Sequence, residues 1–244
     1  MASKILRILT VLLILPVFLL GFSILVYPAI NNWATQKQMA NDVDLFMEQR
    51  ETSPLETVTD PTELPEREHA ELWDDMVAYN EDLVANAQAD LSESQFYTKS
   101  TFELRSYGLD DEVFGVIRIP RLDLTMPVFL GATDDKLAFG AAHLSGTSLP
   151  IGGENTCSVL AGHRGWNGAA YFRYVPDLQL GDTVSITNLW ETLTYSVVDK
   201  QIIEPNDVDS IRIQPDRELL ILLTCHPYAS GGKQRFLVIC QRSS

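Results

Sequence analysis

The sequence is poor in cysteine and in basic residues, and each shortage excludes a class of protein. Three cysteines in 244 residues cannot form a disulfide scaffold, and their odd number leaves at least one thiol unpaired. Lysines and arginines number 18 against 33 aspartates and glutamates, and the resulting net charge of −15 would repel nucleic-acid phosphates. Internal repeats and low-complexity tracts are also absent from the sequence. With 45% hydrophobic residues, the chain is expected to form one sizeable domain with accessory segments.

One long hydrophobic run lies near the N-terminus. Ile8 to Tyr27 is about 20 residues without a charge, which is enough to cross roughly 30 Å of hydrocarbon. Lys4 and Arg7 precede the run and are also typical of a signal peptide, but the apolar core is too long and no small-residue cleavage site follows. We therefore predict an uncleaved, single-pass anchor in the cell membrane. The N-terminus is expected in the cytoplasm and the rest of the chain outside the cell.

Helical periodicity and prolines divide the segment after the anchor. Apolar residues recur at helical spacing from Trp33 to Gln49, and again in a stripe from Leu72 to Ala87 whose opposite face is acidic. Prolines between Pro54 and Pro65 interrupt this pattern and predict a linker. The chain is thus divided into a cytoplasmic tip and anchor (1–30), an acidic helical stalk with a candidate lid (31–112) and a β domain (113–244).

From Val113 onward the sequence is rich in β-branched and aromatic residues, in short runs separated by turn residues. Many short strands at this spacing predict a mainly β fold, an antiparallel barrel or sandwich. Short helices are predicted at Asp135–Phe139 and Ala169–Tyr174. The predicted strands are Val113–Pro120, Thr125–Leu130, Ser158–Gly162, Thr183–Asn188, Leu193–Ile203, Glu218–Cys225 and Gln234–Gln241.

Reactive side chains fall at the ends of these strands. The last two strands form a predicted hairpin in which Cys225 and Arg235 face each other at one end, and His163 closes an earlier strand. A free thiol has a pKa near 8.5, so a neighbouring imidazole is needed to take or supply its proton. A guanidinium keeps its charge and suits an oxyanion. Cys225, His163 and Arg235 therefore have the right chemistry for acyl transfer, although a buried cysteine or a core histidine is not excluded by residue type.

Three stretches carry a resemblance to a known family. Leu223-Thr224-Cys225, followed ten residues later by Arg235, resembles the T-L-x-T-C…R signature of the sortases, with an aliphatic residue in place of the leading threonine. The segment from His143 to Gly165 resembles the stretch that ends at the catalytic histidine in class C sortases. Ile117–Leu122 and the following Pro127-Val128 are similar to that class's opening strand pair.

The resemblance implies a closed eight-stranded β-barrel on the outer face of a Gram-positive cell. Sortases are cysteine transpeptidases that cleave an L-P-x-T-G-like sorting signal between threonine and glycine. By resemblance, Cys225 would form the thioester, His163 would move the proton, and Arg235 would align the signal. Thr224 and His143 are weaker candidates for substrate contacts. Class C members typically transfer the acyl group to a pilin lysine in pilus assembly, and neither a cofactor nor a metal is expected.

Two departures from class C leave other tasks open. The stretch 89–100 lacks the Asp-Pro lid motif, so a lid would have to use Asp90 with Phe96 or Tyr97. A second hydrophobic span, which many class C members carry at the C-terminal end, is also expected to be missing. The alternative task is the anchoring of surface proteins to the cell-wall peptide. A non-catalytic pilus-assembly or adhesion module is the other alternative.

The reactive residues allow two further interpretations. Cys225 with His163, His143 and His226 could form a zinc site, but close-spaced ligand pairs are absent apart from the adjacent Cys225-His226. The order of histidine before cysteine is opposite to that of a papain-like hydrolase. The two remaining cysteines are expected to be small buried hydrophobes, although a disulfide between them would be permitted outside the cell. These are Cys157 and Cys240.

Overall fold

The computed structural model describes residues 2–52, 67–98, 100, 102–109, 112–165 and 169–243, with the backbone alone at 2–11 and 95. Helix α1 (Ala2–Thr52) joins the predicted anchor and the helical stretch after it in one element of 51 residues. Among the described residues, α1 is the one helix long and apolar enough to cross a membrane. The predicted linker, 54–65, lies outside the described residues.

Eight strands close into a barrel, which confirms the expected architecture. The order around the barrel is β1-β2-β3-β4-β7-β8-β6-β5, with parallel pairing at β2–β3 and β4–β7 and antiparallel pairing elsewhere. Strand β3 was not predicted, because three residues are too few to show alternation. The strands are β1 (Val113–Ile119), β2 (Leu124–Leu130), β3 (Ala141–His143), β4 (Thr156–Ala161), β5 (Thr183–Asn188), β6 (Thr192–Ile203), β7 (Glu218–His226) and β8 (Gln234–Arg242).

The unbroken apolar run of β7 is explained by burial on both faces of the strand. Leu220 and Leu222 belong to a cluster that takes residues from all eight strands and fills the barrel. Leu219, Ile221 and Leu223 point the other way, into a second cluster outside the barrel wall. A strand covered on both sides needs apolar residues at every position. As a result, the strand that carries Cys225 near its end is held rigidly.

The second half of α1 contributes to both apolar clusters. Met39 is buried in the cluster that fills the barrel and Phe46 in the cluster outside its wall, and the helix packs on β1 and β2. By contrast, the large apolar side chains of α1 from Leu12 to Ile30 are exposed, as expected of a surface that meets lipid. One helix therefore carries both the candidate membrane segment and a contact with the barrel.

Helix α2 (Ala70–Ala85) covers another part of the barrel wall. Leu72 and Met76, both in the predicted stripe, are fully buried against barrel residues that include Phe114. The Trp73 ring meets the Trp190 ring edge to face, with centroids 4.9 Å apart. Trp190 in turn donates from Nε1 to the Glu68 carbonyl at 2.7 Å. Aromatic packing thus fixes the start of α2 on the barrel.

Short helical segments complete the described fold, and three 3₁₀ turns among them are Leu104–Tyr107, Pro120–Leu122 and Asp209–Ile211. Helix α3 (Glu93–Phe96) was not predicted, whereas α4 (Asp134–Leu137) begins one residue and ends two residues before the predicted Asp135–Phe139. The helix expected at Ala169–Tyr174 is a 3₁₀ segment at Tyr171–Asp177 instead. All three cysteines are free thiols, and the two buried ones lie in different apolar clusters, so the disulfide weighed above is not formed.

Candidate active site

The β7–β8 hairpin brings a thiol and a guanidinium together. Cys225 pairs directly with Arg235 in the antiparallel register, as the hairpin pattern predicted. Side chains of directly paired residues lie on one face with Cβ atoms about 5 Å apart. The preceding residues of β7 are buried, while Cys225 itself is partly exposed. The strand therefore presents one reactive side chain at its open end.

His163 reaches the same end from the neighbouring strand. β4 runs parallel to β7, and its last paired residue, Ala161, lies beside Leu223. One residue further, Gly162 donates from its N–H to the Leu223 carbonyl at 3.1 Å, and Thr224 donates from Oγ1 to the Gly162 carbonyl at 2.8 Å. Neighbouring strands lie about 4.8 Å apart. The register therefore projects His163 alongside Cys225.

The 3₁₀ segment that follows holds the backbone and ring of His163. Phe172 donates from its N–H to the His163 carbonyl at 2.9 Å, and the Tyr171 ring meets the imidazole edge to face at 5.9 Å. Residue 162 must be glycine here, because a Cβ would lie 2.7 Å from the Phe172 ring. Burial lowers the pKa of His163, and the nearby Asp134 carboxylate opposes this effect. The imidazole is therefore mainly neutral at pH 7.

Arg235 is held at the mouth of the barrel by backbone carbonyls. Its Nη1 donates to the Gly232 carbonyl at 2.6 Å and to the Gln234 carbonyl at 3.3 Å. Both acceptors belong to the β7–β8 connection or to the start of β8. The guanidinium is thus oriented before any substrate arrives, which is the condition for electrostatic stabilisation of a developing oxyanion.

Of the three candidate lid residues, one reaches the site. Tyr97 lies close enough to Arg235 and Cys225 for their charges to act on its hydroxyl, although the side chain is 39% exposed. Burial of part of the side chain raises the pKa of Tyr97, and the Arg235 charge opposes the rise. Phe96 is buried in the outer apolar cluster, whereas Asp90 is exposed at the turn after α2. The segment is therefore anchored by Phe96 and brings Tyr97 near Arg235 and Cys225.

The weaker candidates have buried positions. His143 is 2% exposed, and its Nε2 donates to the Ser148 carbonyl at 3.0 Å and lies 3.2 Å from the Thr147 carbonyl. Burial lowers the pKa of His143 to about 4. Thr224 is 1% exposed and makes the bond to Gly162 described above. For both residues, substrate contact stays a prediction, while the observed contacts position the loops around the site.

Sequence reasoning missed the contacts of Arg164 and His226. Arg164 donates from Nη1 to the carbonyl of Cys225 at 3.2 Å and to Nδ1 of His226 at 2.8 Å. The His226 ring also lies against Phe236, with centroids 5.7 Å apart. The one available signal was position, because Arg164 directly follows His163 and His226 directly follows Cys225. In the described part of the chain, no group of three metal-ligating side chains is brought together, so the zinc alternative finds no support there.

A closed eight-stranded barrel with a thiol, an imidazole and a guanidinium at one end defines a thiol acyl-transfer class of site. Residues 117–243, more than half of the chain, match the Sortase domain family. The chain belongs to the sortase family, and its structural neighbours include class C members.

Three relatives illustrate the relationship. Sortase D of Bacillus subtilis is 30% identical over 130 residues, which are 52% of this chain and 63% of that protein, so the chain spans less than two thirds of its length. The structure of Streptococcus pneumoniae sortase C, described for catalysis and pilin substrate specificity, is 28% identical and superposes with a TM-score of 0.65 over 83% of this chain and 96% of that one. A lid mutant of Streptococcus agalactiae sortase C1 is 26% identical, with a TM-score of 0.67 over 83% and 97%.

Proposed function

We propose that this protein is a membrane-anchored cysteine transpeptidase that cleaves an L-P-x-T-G-like sorting signal between threonine and glycine. The observation that carries the proposal is the pairing of Cys225 with Arg235 on one hairpin, beside the strand that leads to His163. The sortase family and its class C neighbours support the same chemistry.

In the first step the Cys225 sulfur attacks the threonine carbonyl carbon. His163, mainly neutral because burial lowers its pKa, takes the thiol proton as the sulfur–carbon bond forms. Collapse of the tetrahedral intermediate breaks the carbon–nitrogen bond, and the imidazolium returns that proton to the departing glycine amine. The product is a thioester on Cys225 with the histidine neutral again.

In the second step an amine attacks the thioester carbonyl. His163 takes the proton that the amine loses, and the sulfur leaves as a thiolate that is reprotonated by the imidazolium. The positive charge of Arg235 stabilises the oxyanion that develops in both steps. No oxidant, reductant or nucleotide is needed to balance either step.

We propose that the segment around α3 is a lid that occupies the site of the resting enzyme. Its support is that Tyr97 lies within electrostatic reach of both Arg235 and Cys225, the two groups that the substrate must contact in the proposed reaction. The segment is also docked through Ser145, whose N–H donates to the Phe96 carbonyl at 3.4 Å and whose Oγ donates to the Thr98 carbonyl at 3.3 Å. A solved relative is described as a lid mutant.

For the acceptor we propose a pilin lysine, which would make the product an isopeptide-linked pilus. The support is that several structural neighbours are described by pilus islands or pilin specificity. The proposed location is the outer face of the membrane, with Lys4 and Arg7 on the cytoplasmic side of α1. Transfer to cell-wall peptide is the second acceptor to be tested.

Intact-mass measurements test this function directly. The full-length protein in detergent is mixed with an L-P-x-T-G peptide, and then with either a lysine-bearing pilin domain or a cell-wall peptide. We expect an acyl adduct on Cys225 that the pilin lysine releases as an isopeptide. Cys225→Ala should form no adduct, because a methyl group cannot attack a carbonyl.

Two results would contradict the proposal in different ways. An adduct that survives in Cys225→Ala, or pilus assembly that continues with this variant, would favour a non-catalytic module. Release of the adduct by cell-wall peptide alone would keep the enzyme and replace pilus assembly by cell-wall anchoring.

A further inference from the structure

The parallel pairing of β4 and β7 ends before the two reactive residues. Its last residue pair is Ala161 with Leu223, and the last backbone bond runs from Gly162 to Leu223. His163 and Cys225 both lie two residues beyond that pair. The backbone ladder alone therefore does not set the distance between the imidazole and the sulfur.

Side-chain bonds continue the pairing past this point. Thr224 donates from Oγ1 to the Gly162 carbonyl at 2.8 Å, and Arg164 donates from Nη1 to the Cys225 carbonyl at 3.2 Å. Gly162 and Arg164 flank His163 in the chain. The first bond attaches Gly162 to Thr224 and the second attaches Arg164 to Cys225, so both flanking residues are held on β7. As a consequence, His163 cannot shift along or away from β7 without breaking one of them.

Arg164 makes a second hydrogen bond, to His226. This bond holds the Arg164 side chain in the rotamer that reaches the Cys225 carbonyl. A guanidinium can only donate, so Nδ1 of His226, 2.8 Å from Nη1, must be the acceptor and His226 must carry its proton on Nε2. The Nε of Arg164 is buried with no partner among the described residues. A buried donor left unpaired is unfavourable, so stability alone does not favour this arrangement.

We infer that Arg164 is a positioning residue that holds the imidazole of His163 in line with the sulfur of Cys225. It acts through the backbones of both residues and touches neither reacting atom. This inference rests on the proposed transpeptidase function, in which the proton must pass between that sulfur and that imidazole. A misplacement of about 1 Å at such a site can cost about 100-fold in rate.

The experiment measures acylation of Cys225 in the full-length protein in detergent, with an L-P-x-T-G peptide and intact-mass detection across a range of peptide concentrations. For Arg164→Gln we expect the maximal acylation rate to fall by about 10- to 100-fold while the half-saturating peptide concentration stays within about twofold. The melting temperature is measured in parallel. A loss of binding with an unchanged maximal rate would overturn the inference, because it would make Arg164 a substrate contact.

Two variants separate position from charge. Arg164→Lys keeps the charge but cannot span both acceptors, so it should remain slow; a wild-type rate would overturn the inference. It also serves as the test if Arg164→Gln does not fold. Arg173→Gln is the matched control, because Arg173 is exposed, contacts the Tyr174 and Tyr228 rings and makes no bond to β7. Arg173→Gln should be acylated at the wild-type rate. Equal slowing in Arg164→Gln and Arg173→Gln would mean that the loss of positive charge lowers the rate, which would overturn the inference.

The failure of the underlying function would look different. If the wild-type protein itself forms no thioester, the proposed transpeptidase is wrong. If the wild type reacts and Arg164→Gln reacts at the same maximal rate, the transpeptidase stands and the positioning role is wrong.

Discussion

At the scale of single residues, Gly232 is a position where a side chain would crowd both Cys225 and Arg235. A Cβ there would lie 3.3 Å from the Cys225 sulfur and 3.1 Å from Nη1 of Arg235, and the residue has a φ of +77°. Gly232→Ala should therefore displace the guanidinium and lower the acylation rate by roughly tenfold or more. Peptide titrations followed by intact mass provide the measurement.

The matched control is Gly231→Ala. Gly231 also has a positive φ, +72°, but a Cβ there would meet open space. Both variants carry the cost of about 1–2 kcal/mol for an alanine in the left-handed region. If the two variants lose the same fraction of acylation rate, backbone strain at a positive φ explains the loss, and crowding of the Cys225 sulfur does not.

His143 should make stability depend on pH. Its folded pKa of about 4 lies below the ordinary value of 6.5, so the unfolded chain takes up a proton that the folded protein cannot. The contribution of neutral His143 to the free energy of unfolding is complete above pH 6.5, falls as the pH decreases and is lost below about pH 4. At about 1.4 kcal/mol for each pH unit, the loss amounts to about 3 kcal/mol.

Urea unfolding at pH 7.5 and pH 4.5 tests this assignment. His143→Gln cannot titrate, so it should be the less stable protein at pH 7.5 and should approach the wild type at pH 4.5. A difference between the two proteins that stays constant across this range would assign the acid sensitivity to other groups.

The reactive residues were predictable because each lies at a strand end and has a distinctive chemistry. Cys225 and Arg235 share one hairpin, so their spacing in the sequence already implied the register observed. Arg164 and Tyr97 were a different case. Their contacts join segments 61 and more than 100 residues apart, and no local pattern encodes such pairs.

At the scale of elements, the proposed lid predicts a gain of reactivity when it is opened. Tyr97→Ala removes the ring that lies near Arg235 and Cys225. We expect alkylation of Cys225 by iodoacetamide to become roughly tenfold faster. Burial raises the pKa of both Cys157 and Cys240 to about 12, so the reagent reports on Cys225 alone.

Two other tyrosine changes complete the lid experiment. Tyr97→Phe keeps the ring and removes the hydroxyl, so it should give an intermediate rate. Tyr174→Ala removes an exposed tyrosine elsewhere and should leave the rate unchanged. A Tyr97→Ala rate equal to that of the wild type would show that the segment does not shield the sulfur.

The elements were predictable where an apolar run or a periodic pattern extends over enough residues. The strands with five or more predicted residues all exist, and the buried stripe of α2 begins at Leu72 as expected. The short elements β3 and α3 were missed, since three or four residues show no period and their pairing is decided by tertiary contacts.

At the scale of the whole molecule, α1 predicts different results for two truncations. Deletion of residues 2–30 should release the protein from the membrane fraction and leave the barrel intact, because Met39 and Phe46 remain packed on it. Deletion of residues 2–52 removes both side chains and should lower the free energy of unfolding by at least about 2 kcal/mol. Fractionation and urea unfolding distinguish the two.

Equal stability of the two truncated proteins would mean that the second half of α1 contributes nothing to the barrel. Continued sedimentation of the shorter deletion with membranes would mean that a surface other than the first half of α1 holds the protein there.

The continuity of α1 has a last consequence for which substrates can meet the enzyme. Met39, already seated on the barrel, follows Tyr27 by twelve residues, a rise of about 18 Å along a helix. In the proposed membrane-anchored enzyme, with Tyr27 at the lipid surface, the barrel would stay at a short, fixed distance from the bilayer and would favour substrate proteins that are themselves still tethered there. Seven residues inserted after Trp33 would move the barrel about 10 Å farther from the bilayer. This insertion should slow transfer from tethered proteins and leave the rate of transfer from free peptides unchanged.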